Sequence, residues 1–242
     1  MNTNNYTINV SDTPVEVIRK SVKNLHLSVY PPNGHVRITV PERMEDENIR
    51  LAVISRLEWI REKQSEFKAQ PRQTERQYIS GESHYFEGKR YLLNVIERKG
   101  KEKVELTNNA KLILYIKPNT TRDWRAAIFN EWYRVHLKNK LSQLLLKWQA
   151  KVGKKPNHIQ IKRMKTRWGS CNTQTGRILI NLELAKKPPE CLEYILVHEL
   201  VHLHERHHNE AFIRHMNRCM PKWKFYRDTL KSEPLAHEDW DY

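Results

Sequence analysis

Apolar and polar residues along the chain change period several times, and each change marks an element. Val15 to Ile18, Leu25 to Val29 and Val36 to Val40 alternate as short strands, with Pro31-Pro32-Asn33-Gly34 as a turn between the last two. From about Asp46 to Phe67 the spacing becomes helical, with Ile49, Val53, Leu57 and Ile60 on one face. The polar stretch from Ala69 to Gln77 contains Pro71 and reads as a linker. A second β group comes next. Tyr85-Phe86 and Tyr91 to Val95 flank a Glu87-Gly88 turn, and Val104 to Leu106 and Leu112 to Ile116 flank Asn108-Asn109.

At Pro118 the character changes. Asp123 starts a predicted helix that runs to Val152, where Gly153 stops it, with Ile128, Trp132, Val135, Leu141, Leu145 and Trp148 as its apolar face. Ile159 and Ile161 alternate as a strand, and Arg177 to Leu182 form another. The loop between them holds Trp168-Gly169-Ser170-Cys171. Pro188-Pro189-Glu190 then opens a helix expected to reach Glu205, with proline where no amide bond is lost. The pattern is α+β. It predicts a β-rich region with one helix over 1–117, then a second domain over 118–242. No internal repeat stands out.

Composition narrows the function classes. No stretch approaches the roughly 18 apolar residues of a membrane span. The polar start, Met1 to Val10, lacks signal-peptide order. Three scattered cysteines, Cys171, Cys191 and Cys219, form no C-x-x-C pair and read as reduced thiols. A cytoplasmic protein without membrane attachment is expected. The net charge is +15, and it is uneven: residues 147–187 hold 11 basic groups against Glu183 alone, a net of +10. Such a block suits contact with DNA, and it is equally the composition of a solvated basic face. Trp124, Trp132 and Trp148 sit at helical spacings and read as core residues.

The chemistry concentrates in His198-Glu199-Leu200-Val201-His202. On a helix His198 and His202 lie one turn apart, so both imidazoles can reach one ion. Glu199 projects about 60° from His202, close enough to reach a water at that ion without being a ligand. Apolar residues surround the motif (Ile195, Leu196, Val197, Leu200, Val201), so the helix should be buried, and buried polar groups need partners. Composition alone would produce such a motif roughly 0.05 times in this chain, so its spacing carries weight. A third ligand is expected among the residues after His202, where His204, Glu205, His207 and His208 all follow. A straight helix presents Glu205; a helix ending near Glu205 folds His208 back, the spacing we favour. Zn2+ is the expected metal, with Glu199 as general base for hydrolysis of a protein or peptide. Substrate alignment beside Arg177–Leu182 by backbone pairing is expected, and Tyr226 is a candidate oxyanion donor, more plainly a core or surface tyrosine. The competing reading is a nucleic-acid-binding module with a structural zinc.

The string Thr166-Arg167-Trp168-Gly169-Ser170-Cys171, then Ile178 to Leu182 with Asn181, then Tyr194 to Leu203, then His208 and Phe212, resembles the YgjP-like metallopeptidase family, related to the SprT-like peptidases. That family usually carries Asn-His-Ser at the third ligand, where this chain has His207-His208-Asn209. The resemblance implies a zincin-like α+β domain with His198, His202 and His208 on zinc and Glu199 catalytic. It also implies work near DNA, on DNA-associated proteins. For Trp168-Gly169-Ser170 it gives no role beyond a turn at the cleft edge.

Overall fold

The computed structural model describes residues 5–30, 33–69, 76–107, 111–164 and 167–232. The chain is α+β, 42% helical and 30% strand. It divides into two compact units between residues 74 and 75. The first carries four strands, β1 (Asn5–Val10), β2 (Thr13–Lys20), β3 (His26–Tyr30) and β4 (His35–Pro41), in the order β1-β2-β4-β3. Only β2 and β4 run parallel. Two helices come after them, α1 (Asp46–Ile54) and α2 (Leu57–Ala69). The single predicted helix is therefore interrupted, with Ser55 as the C-cap of α1. Ile49, Val53 and Ile60 form one core with Val15, Val17, Val36, Ile38 and Val40. Fully burying such side chains contributes roughly 1.5–3 kcal/mol each. β1 falls in a segment whose sequence reads only as polar; its buried residues are two, Ile8 and Val10, too few for a pattern.

The second unit opens with β5 (Ser83–Phe86), β6 (Lys89–Glu97), β7 (Lys103–Leu106) and β8 (Lys111–Ile116), again ordered outer, inner, inner, outer as β5-β6-β8-β7. The long helix α3 (Arg122–Val152) is next, capped by Thr121 and ended by Gly153 in the left-handed conformation. A three-stranded sheet is built after it, ordered β10-β11-β9, from β9 (His158–Lys162), β10 (Gly169–Asn172) and β11 (Arg177–Asn181). A 3-10 turn over Leu182–Lys186 leads into α4 (Pro189–Val201), and α5 (Glu210–Cys219) and α6 (Trp223–Ser232) close the described chain. No described helix is long and apolar enough to cross a membrane.

Several expectations shift here. The predicted boundary at 117/118 marks the change from β to α; the compact unit starts earlier, at 75. The reason is the buried face of α3. Phe129, Tyr133, Leu137 and Leu141 share one core with Phe86, Leu93, Leu112 and Leu114 of the sheet and with Leu196 and Val197 of α4. That face is rotated from the predicted one, since Val135 is half exposed and Tyr133 and Leu137 are buried instead. Trp148 is in the core, whereas Trp124 lies on the surface and donates its indole N–H to Glu102. The segment from Gly169 is strand, not loop. The Asn108-Asn109 turn and most of the predicted linker lie outside the described residues.

The two four-stranded sheets also share a plan that identity does not show. Their connections have the same lengths: two residues at 11–12 and 87–88, five at 21–25 and 98–102, four at 31–34 and 107–110. The helices after them begin at Asp46 and Arg122, 76 residues apart. The same offset joins buried pairs: Ile8 and His84, Val10 and Phe86, Val17 and Leu93, Val36 and Leu112, Ile38 and Leu114, Val40 and Ile116, Val53 and Phe129. None of these pairs is identical, so the repeat is carried by burial rather than by residue type.

Candidate metal centre

Helix α4 starts where Pro189 at its first position fixes the backbone and Glu190 favours the positive end. It is buried on nearly every side, with Leu192, Ile195, Leu196, Val197, Leu200 and Val201 all inside. The helix ends at Val201, one turn short of the predicted Glu205, and His202 is its C-cap. The Leu203, His204 and Glu205 amides close a tight turn on the Leu200 and Val201 carbonyls. Asn209 then caps α5 by accepting from the Phe212 amide at 3.1 Å. The chain between the two helices thereby reverses and brings His208 back.

The result is a cluster of three imidazoles. One ring nitrogen each from His198, His202 and His208 lies within 4.8 Å of the others. His198 Nε2 is 3.2 Å from His202 Nε2 and 3.0 Å from His208 Nε2. His202 Nδ1–H donates to the Glu205 carbonyl at 3.0 Å, which turns the lone pair of Nε2 toward the cluster. Phe212 packs on all three rings, with centroids 4.9, 4.7 and 4.8 Å away. Burial, aided by the other two rings, pushes His198 down to about 3. Burial likewise lowers His202, against its bond to the Glu205 carbonyl. Neutral imidazoles with converging lone pairs fit a soft-to-borderline dication, and repel one another without it.

Glu199 points between α4 and the sheet and is 4% exposed. Burial pushes its carboxyl up to about 8, against the attraction of Arg167. The other candidate ligands are placed elsewhere. Glu205 Oε1 accepts from the His207 amide, so its carboxylate caps the turn. His204 donates to the Val152 carbonyl at 2.8 Å and stacks on His215. His207 is outside the three-nitrogen cluster. Tyr226 is half-buried against the core and the Phe225 ring.

Two features are not legible from the sequence. Phe212 supports the triad as one surface, a role that its place in the family motif string does not give. Gly169 lies against Glu199: a Cβ there would stand 2.4 Å from Glu199 Oε1 and 2.8 Å from Ile195 Cγ2. The expected pairing strand, β11, is central, with β10 on one side and β9 on the other. Its backbone is already used, which leaves the edge strand β10 as the one beside α4 with a side that no described strand pairs.

Among solved structures, the chain is similar to the metallopeptidase zymogen abylysin of Pyrococcus abyssi, at 23% identity and a TM-score of 0.36, over 38% of this chain and 92% of that one. It is also similar to the zymogen jannalysin of Methanocaldococcus jannaschii, at 24% identity and a TM-score of 0.31, over 39% of this chain and 85% of that one. No curated protein matches the chain. The family model of the YgjP-like metallopeptidase domain matches residues 23–233. That span takes in the helix with the three-histidine cluster and most of both units, and the chain belongs to the YgjP-like metallopeptidase domain family.

Proposed function

We propose that the chain is a zinc peptidase in which His198, His202 and His208 hold the ion and Glu199 carries the proton. The observation behind this reading is the convergence of three ring nitrogens within 4.8 Å beside a buried glutamate on the helix that carries His198. Zinc on three imidazoles supplies Lewis acidity to a water and to a carbonyl oxygen, and its charge favours the ionised form of Glu199. Glu199 accepts the proton of the attacking water on its carboxylate. It then passes that proton to the departing amide nitrogen, so the carboxylate is regenerated. The closed packing of α4 keeps bulk water from the carboxylate's buried side. The free side of β10 offers backbone groups to an extended peptide, which favours cleavage with little side-chain selection.

An exposed His208 leaves the triad open on one side, as a catalytic site needs and a structural four-ligand site does not. This favours the enzyme over a nucleic-acid module with structural zinc. Within the basic block, Lys147 pairs with Glu193 and Lys186 with Glu183, and Lys187 is buried. The remaining cations still suit DNA-associated protein targets, which we retain as the substrate proposal. Among the described residues Cys171, Cys191 and Cys219 form no disulfide, which suits a cytoplasmic setting.

The test uses the full zinc-loaded chain, a loosely folded basic protein as substrate, and single-stranded DNA present or absent. The wild type should cleave, and DNA should speed cleavage if the basic block recruits it. Glu199→Gln should keep about one zinc per chain and lose about 10²–10⁴-fold in kcat. A fully active Glu199→Gln enzyme would rule out the mechanism.

A further inference from the structure

The Trp168-Gly169 segment is the one motif that the metal chemistry leaves without a role. We infer that Asn181 and Gly169 are positioning residues for Glu199, fixing its carboxylate from the sheet side. This deepens the peptidase reading and rests on it.

Asn181 ends β11 and is 4% exposed. Its Nδ2 donates to the carbonyls of Met164 and Arg167, both at 2.8 Å. Its Oδ1 accepts from the amides of Met164 at 3.3 Å and Glu183 at 3.2 Å. Its backbone amide donates to the Trp168 carbonyl at 2.9 Å. One amide side chain therefore uses both its donors and two acceptor positions. It ties the end of β9 to the start of β10, and the start of β10 is Gly169.

Gly169 pairs with Ile180 in the sheet and faces α4. Its φ lies outside the left-handed region, so backbone freedom is not why glycine stands here. Close approach is the reason. A Cβ would lie 2.4 Å from Glu199 Oε1 and 2.8 Å from Glu199 Cγ. Among the described residues no hydrogen bond holds the Glu199 carboxylate; the backbone of β10 is the wall it rests on. Helix α4 fixes the Cα of Glu199, and Asn181 fixes that wall. A carboxylate that must meet both a water and a leaving nitrogen tolerates little displacement, and a misplacement near 1 Å costs about 10²-fold in rate.

The conservative variant is Asn181→Asp. It keeps the shape, removes both N–H donors and sets an acidic oxygen against two carbonyls. The second is Gly169→Ala, which adds one methyl at the contact on a backbone that accepts alanine. Both are studied as full-length zinc-loaded protein beside the wild type. Three quantities are read: zinc stoichiometry, kcat and KM on an unfolded protein, and the affinity of a peptide hydroxamate that touches ion and glutamate together. Both variants should hold zinc as the wild type does, with KM little changed and kcat lower by about 10²-fold. Hydroxamate affinity should fall in parallel.

An active wild type whose two variants match it in kcat and hydroxamate affinity would sink the inference alone. Loss of zinc in step with kcat would also overturn it, because the residues would then serve the fold of the metal site. If Asn181→Asp does not fold, Gly169→Ala decides by itself. A zinc-loaded wild type that neither cleaves nor binds hydroxamate removes the peptidase reading, and the inference falls with it.

Discussion

The two four-stranded sheets have one plan and two uses. In the first unit the β1–β2 turn, at Ser11-Asp12, meets among the described residues only an ion pair between Asp12 and Arg61 at 3.6 Å. In the second unit the matching turn, Glu87-Gly88, is a docking point. Its amides donate to the Ala185 and Lys186 carbonyls at 2.9 and 3.1 Å, on the segment that leads into α4. Lys140 and His136 of α3 bind the Glu87 carboxylate and, against the effect of burial, hold it below the ordinary carboxylate range. The sheet thus grips the approach to the histidine helix from both backbone and side chain. The difference teaches that a strand order sets where a turn is presented, while the residues at the turn decide what it does there.

Matched substitutions at the 76-residue offset sharpen this comparison, and the largest effect is expected in the core. Phe129 is fully buried among Tyr78, His84, Trp132 and Tyr133. Phe129→Ala should cost about 3–5 kcal/mol. Val53→Ala, at the matching place in the first unit, should cost roughly 1–2 kcal/mol. Denaturant unfolding with amide exchange on each sheet reads both, and equal costs would break the idea that the matched position contributes more to the second core than to the first.

The next effect is a pH dependence. His84 takes the place that Ile8 has in the first sheet, and it donates to Glu82 at 2.9 Å. Burial outweighs that partner and pushes His84 from 6.5 down to about 4. The unfolded chain therefore takes up a proton below pH 6.5 that the folded chain refuses until about pH 4. Stability of the second sheet is full above that window and is lost as pH falls through it, by on the order of 3 kcal/mol. His84→Leu should flatten the dependence, and Ile8→Leu should leave it unchanged.

Smaller again is the turn itself. Gly88 has φ +76°, and a Cβ there would stand 2.9 Å from Pro188 Cγ. Gly88→Val should cost roughly 1–3 kcal/mol and speed exchange of the two turn amides, at positions 87 and 88, that donate to the Ala185 and Lys186 carbonyls. Asp12→Val should stay within about 0.5 kcal/mol. The smallest effect is at the helix caps. Thr121 accepts from the Trp124 amide at 3.3 Å, while Glu45, its counterpart, makes no side-chain cap bond. Thr121→Ala should cost about 1 kcal/mol, and Glu45→Ala should be near neutral in the same melting experiment.

Local spacing encodes what can be read along the chain. The helical period gives α3 nearly to the residue because Asp123 opens a proline-free run that Gly153 stops, all within one contiguous stretch. Its buried face is displaced from the expected one because that choice is made by the sheet it covers, which lies elsewhere in sequence. The repeat is hidden for the same reason. Val17 and Leu93, or Val40 and Ile116, fill the same places without sharing a residue, since a buried β position asks for apolar volume and not for one side chain.

The sequence by itself determined the α+β class, the histidine helix and the pairing of His198 with His202 on one face, because these arise from a 3.6-residue period within one element. Its spacing also favoured His208 over Glu205, and the early end of α4 at Val201 with the Asn209 cap turns the chain back so that the His208 ring meets the other two. Tertiary structure alone decided that β10 is the edge beside the helix, that Gly169 touches Glu199, and that Asn181 spans 14 to 17 residues to hold the connection in place. Contacts of that kind depend on which elements meet, and a one-dimensional pattern of polarity carries the faces of an element but not the partner each face will find.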